Sequence, residues 1–379
     1  MKTKKARGVL LDALERSYGF ERKYLGKLLR GERGYRPRRG RGASYTEGSK
    51  ELVVELWKAA GRPAAEYLEP MMGKLVEEWR ELCGEAGEEE VEQVKKMSAS
   101  TLGRAVRGRG GGRAKGRRNK RSGAGGALRR AIPQMPGSHL PEDAVGTCQV
   151  DTVHLSGGGT YGSHFNVATL TDALTQWFEC APAWNHGAAA TAAAMEAIHA
   201  RLPFAVLHLH PDNGPEFINL LFARAMARLD PAIGLSSSRP YALNDNCRIE
   251  QKNGSVVRDY FGDQRFDDHS QLAALQGLCR DIALYTNLFR PCKKLASKRR
   301  KKGKGVKYHK TYDAPRTPLQ RLADHLPSDT PALQAYQRLH ALTNSIALLK
   351  SIQTRLRALV RTMHSQRPRA AAAAPPPQC

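Results

Sequence analysis

Residues 148–155 read CQVDTVHL and alternate as a half-buried strand does, ending in the turn-forming run Ser156 to Thr160. The central region can be ordered outward from this strand. Phe165 to Leu170 and Trp177 to Ala181 read as the next two strands, with Asp172 near the hairpin between them. A helix from about Ala188 to Arg201 follows, ended by Pro203, and Phe204 to His210 forms a fourth strand. Asp212-Asn213-Gly214 then turns the chain into a helix over Glu216 to Leu229. Gly234 to Ser238 is a short fifth strand and Asn244 to Tyr260 a further helix. Three strands, helix, strand, helix, strand, helix is an α/β order.

Three carboxylates stand out in that order: Asp151 on the first strand, Asp212 just past the fourth, and Glu250 on the last helix. Their elements can converge at one edge of a mixed sheet. Carboxylates brought together repel one another strongly in a low dielectric, and cations among them relieve the repulsion. Magnesium (Mg2+) suits such a site, with manganese (Mn2+) able to substitute, because it takes oxygen ligands, retains water and accepts phosphate oxygens. With two ions, one lowers the pKa of an attacking water or 3′-hydroxyl while the other stabilises the leaving oxygen of an in-line displacement.

The stretches VDTVHLSGGG around Asp151, HPDNGPEFIN around Asp212 and SRPYALNDNCRIEQKNGSVVRDYFG around Glu250 closely resemble the catalytic core of DDE transposases and retroviral-type integrases, particularly bacterial insertion-sequence transposases. The resemblance continues weakly through Arg265-Phe266, LYTNLFRPCKKLASKRR and YDAPRTPLQRL, covering about two thirds of the chain. It implies an RNase H-like fold with a mixed five-stranded sheet, and a catalytic, metal-holding role for Asp151, Asp212 and Glu250. Two residues depart from the pattern: Pro211 stands where a small polar residue is common, and Gly254 follows Asn253 where a bulky side chain is frequent. Neither departure removes a ligand, although a glycine inside a helix costs about 1 kcal/mol relative to alanine. The His and Cys zinc module of retroviral integrases is absent.

Neighbouring residues have plainer readings. Asp172 shapes a hairpin turn, Glu216 sits in a first helical turn where its charge favours the positive dipole end, and Asp245 caps a helix. His154 shares the strand face of Asp151 as a structural imidazole. His208 and His210 alternate with Leu207 and Leu209 as wall residues, and Trp177 and Phe178 belong to the core. Lys252 and Arg258 share the Glu250 helix and are expected to meet DNA phosphates, because an acidic pocket needs nearby cations to draw in a polyanion.

Upstream, residues 8–108 read as short helices. Val91 and Val94 lie on one, Met97-Ser98 turns the chain, and Thr101, Leu102, Arg104, Val106 and Arg107 lie on a second. The pair resembles a helix-turn-helix, whose second helix would turn Ser100, Thr101, Arg104 and Arg107 toward DNA. A helical bundle with a solvated basic face fits this segment equally well, and Ser17 to Arg30 offers a second such unit. Gly103 to Arg130 is free of acids and rich in glycine, with Arg117, Arg118, Lys120 and Arg121 at its centre, so it is flexible and extended until a polyanion neutralises it. Downstream, basic residues from Lys293 to Lys307, including Lys298, Arg299 and Arg300, crowd a glycine-containing loop. Leu342, Ile346, Leu349, Ile352, Leu356 and Leu359 then form an apolar helical stripe, which either docks on the core or pairs with a second protomer. The tail from Ala370 to Gln378 is alanine- and proline-rich and expected to be disordered.

Four regions follow: a helical DNA-binding part over 1–108, a basic linker over 109–145, an integrase-like core over 146–270 and a basic, mainly helical part over 271–379. Over 379 residues, 61 Lys and Arg against 36 Asp and Glu leave a formal net charge of +25, which calls for a polyanionic partner. Double-stranded DNA, as element ends with terminal inverted repeats and as target, is the expected partner, bound by a homo-oligomer. No membrane span is expected, and the apolar run near the N-terminus is broken by Asp12 and Glu15, so no export signal is read. Seven cysteines without a C-x-x-C pair fit a reducing compartment, and a cytoplasmic, nucleoid-associated protein is expected. The function expected is a DNA transposase that cleaves element ends and transfers the strands. A nuclease or resolvase that only hydrolyses, and a non-catalytic DNA-binding regulator, are the alternatives.

Overall fold

The computed structural model describes residues 4–29, 45–83, 86–109, 132–159, 161–185, 187–212, 214, 216–217, 219–239, 245, 247–300 and 308–366. Two compact units divide the chain, Met1–Thr46 and Glu47–Cys379. In the first, α1 (Lys4–Tyr18) and α2 (Arg22–Leu29) are separated at Gly19, whose φ of +67° is a conformation that glycine adopts without a Cβ clash. Arg22 pairs with Asp12 across the turn, and Arg7 donates to the Gly26 carbonyl.

The second unit opens with α3 (Glu47–Ala59), α4 (Ala65–Leu68), α5 (Met72–Cys83), α6 (Glu88–Lys95) and α7 (Ala99–Ala105). Their apolar positions, among them Val53, Leu56, Leu75, Val94 and Leu102, are fully buried. The five-stranded sheet follows: β1 (Thr147–His154), β2 (Phe165–Asp172), β3 (Phe178–Trp184), β4 (His208–Pro211) and β5 (Gly234–Leu235), in spatial order β3-β2-β1-β4-β5. The first three are antiparallel neighbours, whereas β4 lies parallel to β1 and β5 parallel to β4. Parallel neighbours need crossovers, supplied by α8 (Ala188–His199) and α9 (Leu220–Leu229). This mixed sheet with its flanking helices is the RNase H-like arrangement.

Beyond β5 run α10 (Cys247–Lys252), a π-helical turn (Asn253–Val257), α11 (Arg258–Phe261) and the long α12 (Leu272–Phe289). The basic segment expected to be a loop is instead a two-stranded ribbon where it is described, β6 (Leu295–Arg300) against β7 (Tyr308–Tyr312). Cross-strand pairs hold it, with Ser297 and Thr311 hydroxyls 2.7 Å apart and the Lys298 ammonium 4.4 Å from the Tyr308 ring. Helices α13 (Pro318–Leu322), α14 (Pro331–Leu342) and α15 (Ser345–Gln366) complete the unit.

Strand β1 is not half-buried, as its alternation suggested, but covered on both faces. Cys148 and Val150 join a core with Met195, Ile198, Phe222 and Met226 of α8 and α9. Val153 and Leu155 point the other way, into a core with Ile282 of α12 and Leu349 and Ile352 of α15. The polar residues between them are therefore buried and must find hydrogen bonds within the protein. Ile346, Leu349 and Ile352 are almost fully buried, so the C-terminal stripe docks on its own core; Leu342, 86% exposed, lies off it at the end of α14. At the same contact, Ser345 of α15 donates to the buried Glu78 carboxylate of α5, and Asn344 to the Glu78 carbonyl. Among the described residues no helix is long and apolar enough to cross a membrane.

Candidate active site

Asp151 sits in mid-β1, 9% exposed, on the face it shares with Gln149. Its Oδ1 accepts the Thr152 amide at 2.7 Å and its Oδ2 accepts the Asn253 side-chain amide at 2.9 Å. Gln149 works beside it: its Nε2 donates to the Asp245 carbonyl at 2.8 Å, and its Oε1 accepts the Ile249 amide at 3.2 Å. Two side chains on one strand face thus fasten the helix that carries Glu250. Gly137 packs at the same junction, where a Cβ would meet the Asp245 carbonyl.

Asp212 follows the last residue of β4, and Val150 pairs with Pro211 in the parallel ladder. Asp151 and Asp212 are consequently the next residues on adjacent strands, which lie about 4.8 Å apart. The Asp212 Oδ1 accepts the Gly214 amide at 2.9 Å, closing a turn. A Cβ on Gly214 would lie 2.6 Å from Glu216 Oε2 and 2.8 Å from Asp212 Oδ1, so with both carboxylates in place an alanine would push at least one of them aside. Glu216 does not sit in a helical first turn: α9 begins at Leu220, capped by Asn219, and Glu216 is buried before it, accepting the Thr152 hydroxyl at 2.8 Å.

Glu250, partly exposed on α10, stands one helical turn before Asn253 and shares its face. The π-helical turn over Asn253–Val257 adds a residue to the next turn, so Arg258, eight residues on, returns to the Glu250 side, where an unbroken α-helix would have placed Val257. Gly254 lies within that turn. Lys252, expected to meet DNA beside Arg258, projects to the opposite side of α10 and is buried, and its desolvation holds the ammonium pKa below the usual lysine range.

Asp245 is not a helix cap. Its carboxylate clasps Arg239, with Oδ2 accepting Nε at 2.9 Å and Oδ1 accepting Nη2 at 3.0 Å, and this guanidinium holds its pKa below the ordinary value. Asp172 does shape its turn, accepting the Thr175 amide and hydroxyl, both at 2.7 Å, while burial raises its pKa. The His208 and His210 rings both contact the Ser236 hydroxyl, at 2.7 and 2.8 Å, and Ser238 lies 3.2 Å from the other His210 nitrogen. Burial and the neighbouring His208 bring His210 down to about 4, so it is neutral near pH 7. His154 does not share the face of Asp151: three residues along β1 it projects to the other side of the sheet, and its ring lies 6.0 Å from that of His164.

Asp151 lies on the central strand β1, Asp212 just past its neighbour β4, and the helix of Glu250 packs against β1 and β2. Among the described residues, no group of three or more His, Cys, Asp or Glu converges closely enough to hold a metal. The donor chemistry nonetheless suits a hard divalent cation, being all oxygen, and the Asn253 Oδ1 is a buried acceptor without a hydrogen-bond partner beside Asp151. Of the residues expected to meet DNA, Arg104 and Arg107 are exposed on α7 and just past it, and Lys298 and Arg299 are exposed on β6. Arg117, Arg118, Lys120 and Arg121 lie outside the described residues, as does the side chain of Arg300. Gln149, Asn253 and the buried Glu216 were given no such roles from sequence. A polar Gln149 two residues before Asp151 was the available clue, since on a central strand it needs a partner on the same face.

No protein-family model matches the chain. It belongs to the same family as the uncharacterized protein y4rM of Sinorhizobium fredii, to which it is 30% identical over 322 residues, 82% of this chain and 88% of that protein. Among solved structures it is similar to the HTLV-2 integrase catalytic core domain in complex with magnesium, at 15% identity over 40% of this chain and 93% of that one, with a TM-score of 0.30. It is also similar to a chain of a simian T-cell lymphotropic virus intasome, at 15% identity over 65% of this chain and 73% of that one, with a TM-score of 0.35.

Proposed function

We propose that the protein is a DNA transposase that cleaves the ends of its element and joins them to target DNA at Asp151, Asp212 and Glu250. The observation that carries this reading is the 2.9 Å bond from Asn253 to Asp151, which ties the Glu250 helix to the strand beside Asp212. Asp151, Asp212 and Glu250 would hold magnesium or manganese, which would supply a lowered pKa for the attacking oxygen and neutralise charge on the phosphate. The chain's own groups do the positioning. Gln149 and Asn253 fix the approach of the helix, Gly214 lets Asp212 and Glu216 close together, and Arg258 offers a cation on the Glu250 side for a DNA phosphate. Arg104 and Arg107, on a helix-turn-helix formed by α6 and α7, would engage the element ends, with the β6–β7 ribbon and the basic linker serving target DNA. A joining enzyme must hold two duplexes at once, which favours a homo-oligomer on DNA in the bacterial nucleoid.

The test uses the full chain with magnesium, a pre-cut element end bearing a free 3′-hydroxyl and a plasmid target. Covalently joined products are expected, and blocking the 3′-hydroxyl should prevent them. Asp151→Asn, Asp212→Asn and Glu250→Gln should each abolish cleavage and joining while duplex binding persists. Robust end cleavage without joined products would replace this reading with a nuclease that only hydrolyses.

A further inference from the structure

The face of α10 turned away from Glu250 borders a second site. A cavity of about 800 Å³ opens between the loop joining α3 to α4, the Lys252 side of α10, the end of α12 and the outer part of α15. Its volume lies in the range of small-molecule pockets. Its charge is one-sided: Arg62, Lys252, Arg290, Arg357 and Arg361 line it, against Asp259 as the one acid among the described lining residues. Asp259 is engaged, 3.5 Å from Arg290. Lys252 is the decisive group. It is 6% exposed, and among the described residues it makes no hydrogen bond or ion pair. An ammonium drawn this far from bulk water onto a cavity wall is costly, and a bound anion would offset that cost. Aromatic surface stands beside the cations, from Tyr67 and Tyr260, and the Ser255 hydroxyl adds a donor. Cations next to aromatic rings are what a nucleotide needs, with phosphate on the first and base against the second.

We propose that this cavity binds a phosphate-bearing nucleotide unit, with Lys252 as its buried cation. The ligand is either a free nucleotide or an unpaired nucleotide at the end of a DNA strand, and both present the same phosphate. Occupancy would brace the Glu250 helix from behind, because Lys252 and Glu250 lie on opposite sides of the same short helix. The site is separate from the carboxylates, and its test does not depend on strand cleavage.

The test measures thermal unfolding and ligand affinity of the full chain in EDTA, with deoxyadenosine monophosphate, a short single strand carrying a 5′-phosphate, and deoxyadenosine as the unphosphorylated control. Wild type should gain on the order of 2–4 °C from each phosphorylated ligand and nothing from deoxyadenosine. A larger gain from the strand at equal concentration identifies a DNA end as the occupant, and an equal gain identifies the free nucleotide. Lys252→Met keeps the length of the side chain without its charge and should weaken both ligands about tenfold or more. Arg357→Ala with Arg361→Ala, both at exposed positions, gives a second reading should the first variant fold poorly, and should also weaken them. Equal ligand response in wild type and Lys252→Met, or a response to deoxyadenosine matching that to its phosphate, would overturn the proposal.

Discussion

Asn253 and Asp151 stand 102 positions apart and meet through one bond, the amide nitrogen of the first donating at 2.9 Å to Oδ2 of the second. That bond orients a carboxylate on a strand and at the same time sets the distance of the helix bearing Glu250. Asn253→Ala should lower strand cleavage by roughly ten- to a hundredfold, as misplacement by about an ångström does. Duplex affinity should be unchanged, and stability should fall by only about 1–2 kcal/mol. Cleavage kinetics with a parallel binding titration decide it, and a variant of undiminished rate would remove the positioning role.

Gly214 makes a sharper geometric demand. An alanine there would press on two carboxylates already held, Glu216 by the Thr152 hydroxyl and Asp212 by the Gly214 amide. Gly214→Ala should cost about 1–3 kcal/mol in stability and lose most cleavage activity. A denaturation midpoint and a rate identical to wild type would mean the turn opens freely.

A buried carboxylate distant from the site sets a pH dependence. Glu179 on β3 is pushed up from 4.5 to about 7 by burial, partly countered by Arg201, whose Nε donates to it at 3.1 Å. Its folded pKa is raised, so the folded protein binds the extra proton between about 4.5 and 7, and stability falls as pH rises across that window. The loss should reach about 3 kcal/mol at most. Glu179→Gln cannot ionise and should flatten that slope; urea midpoints at several pH values for both proteins provide the comparison, and matching slopes would refute the assignment.

For DNA ends, Arg104→Ala with Arg107→Ala should weaken binding and reduce the slope of log affinity against log salt by up to about 2, near 0.9 per lost phosphate contact. An unchanged slope would take α7 away from the DNA.

Strand order and the mixed sheet could be read from sequence because alternation and turn residues are local properties. Burial of β1 on both faces could not. Its polar residues mimic the solvent face of a half-buried strand, and only the bonds from Gln149 to Asp245 and Ile249 explain their place inside. Asp245 was read as a cap because Asp beside Asn favours that role, but a nearby guanidinium offers a stronger, bidentate partner. The glycine-containing, basic Lys293–Lys307 segment reads as a loop, whereas cross-strand contacts such as Lys298 with Tyr308 hold its described ends in a ribbon. The return of Arg258 to the Glu250 side depends on the π-helical turn, which nothing but a glycine foreshadowed.

The bond between Ser345 and Glu78 joins parts of the chain 267 positions apart. A ribosome completes α5 long before it makes α15, so during synthesis the buried Glu78 carboxylate waits for its partner, and Leu349 and Ile352 have yet to cover one face of the sheet. The sheet that carries Asp151 therefore gains the cover of one face only after α15 has left the ribosome.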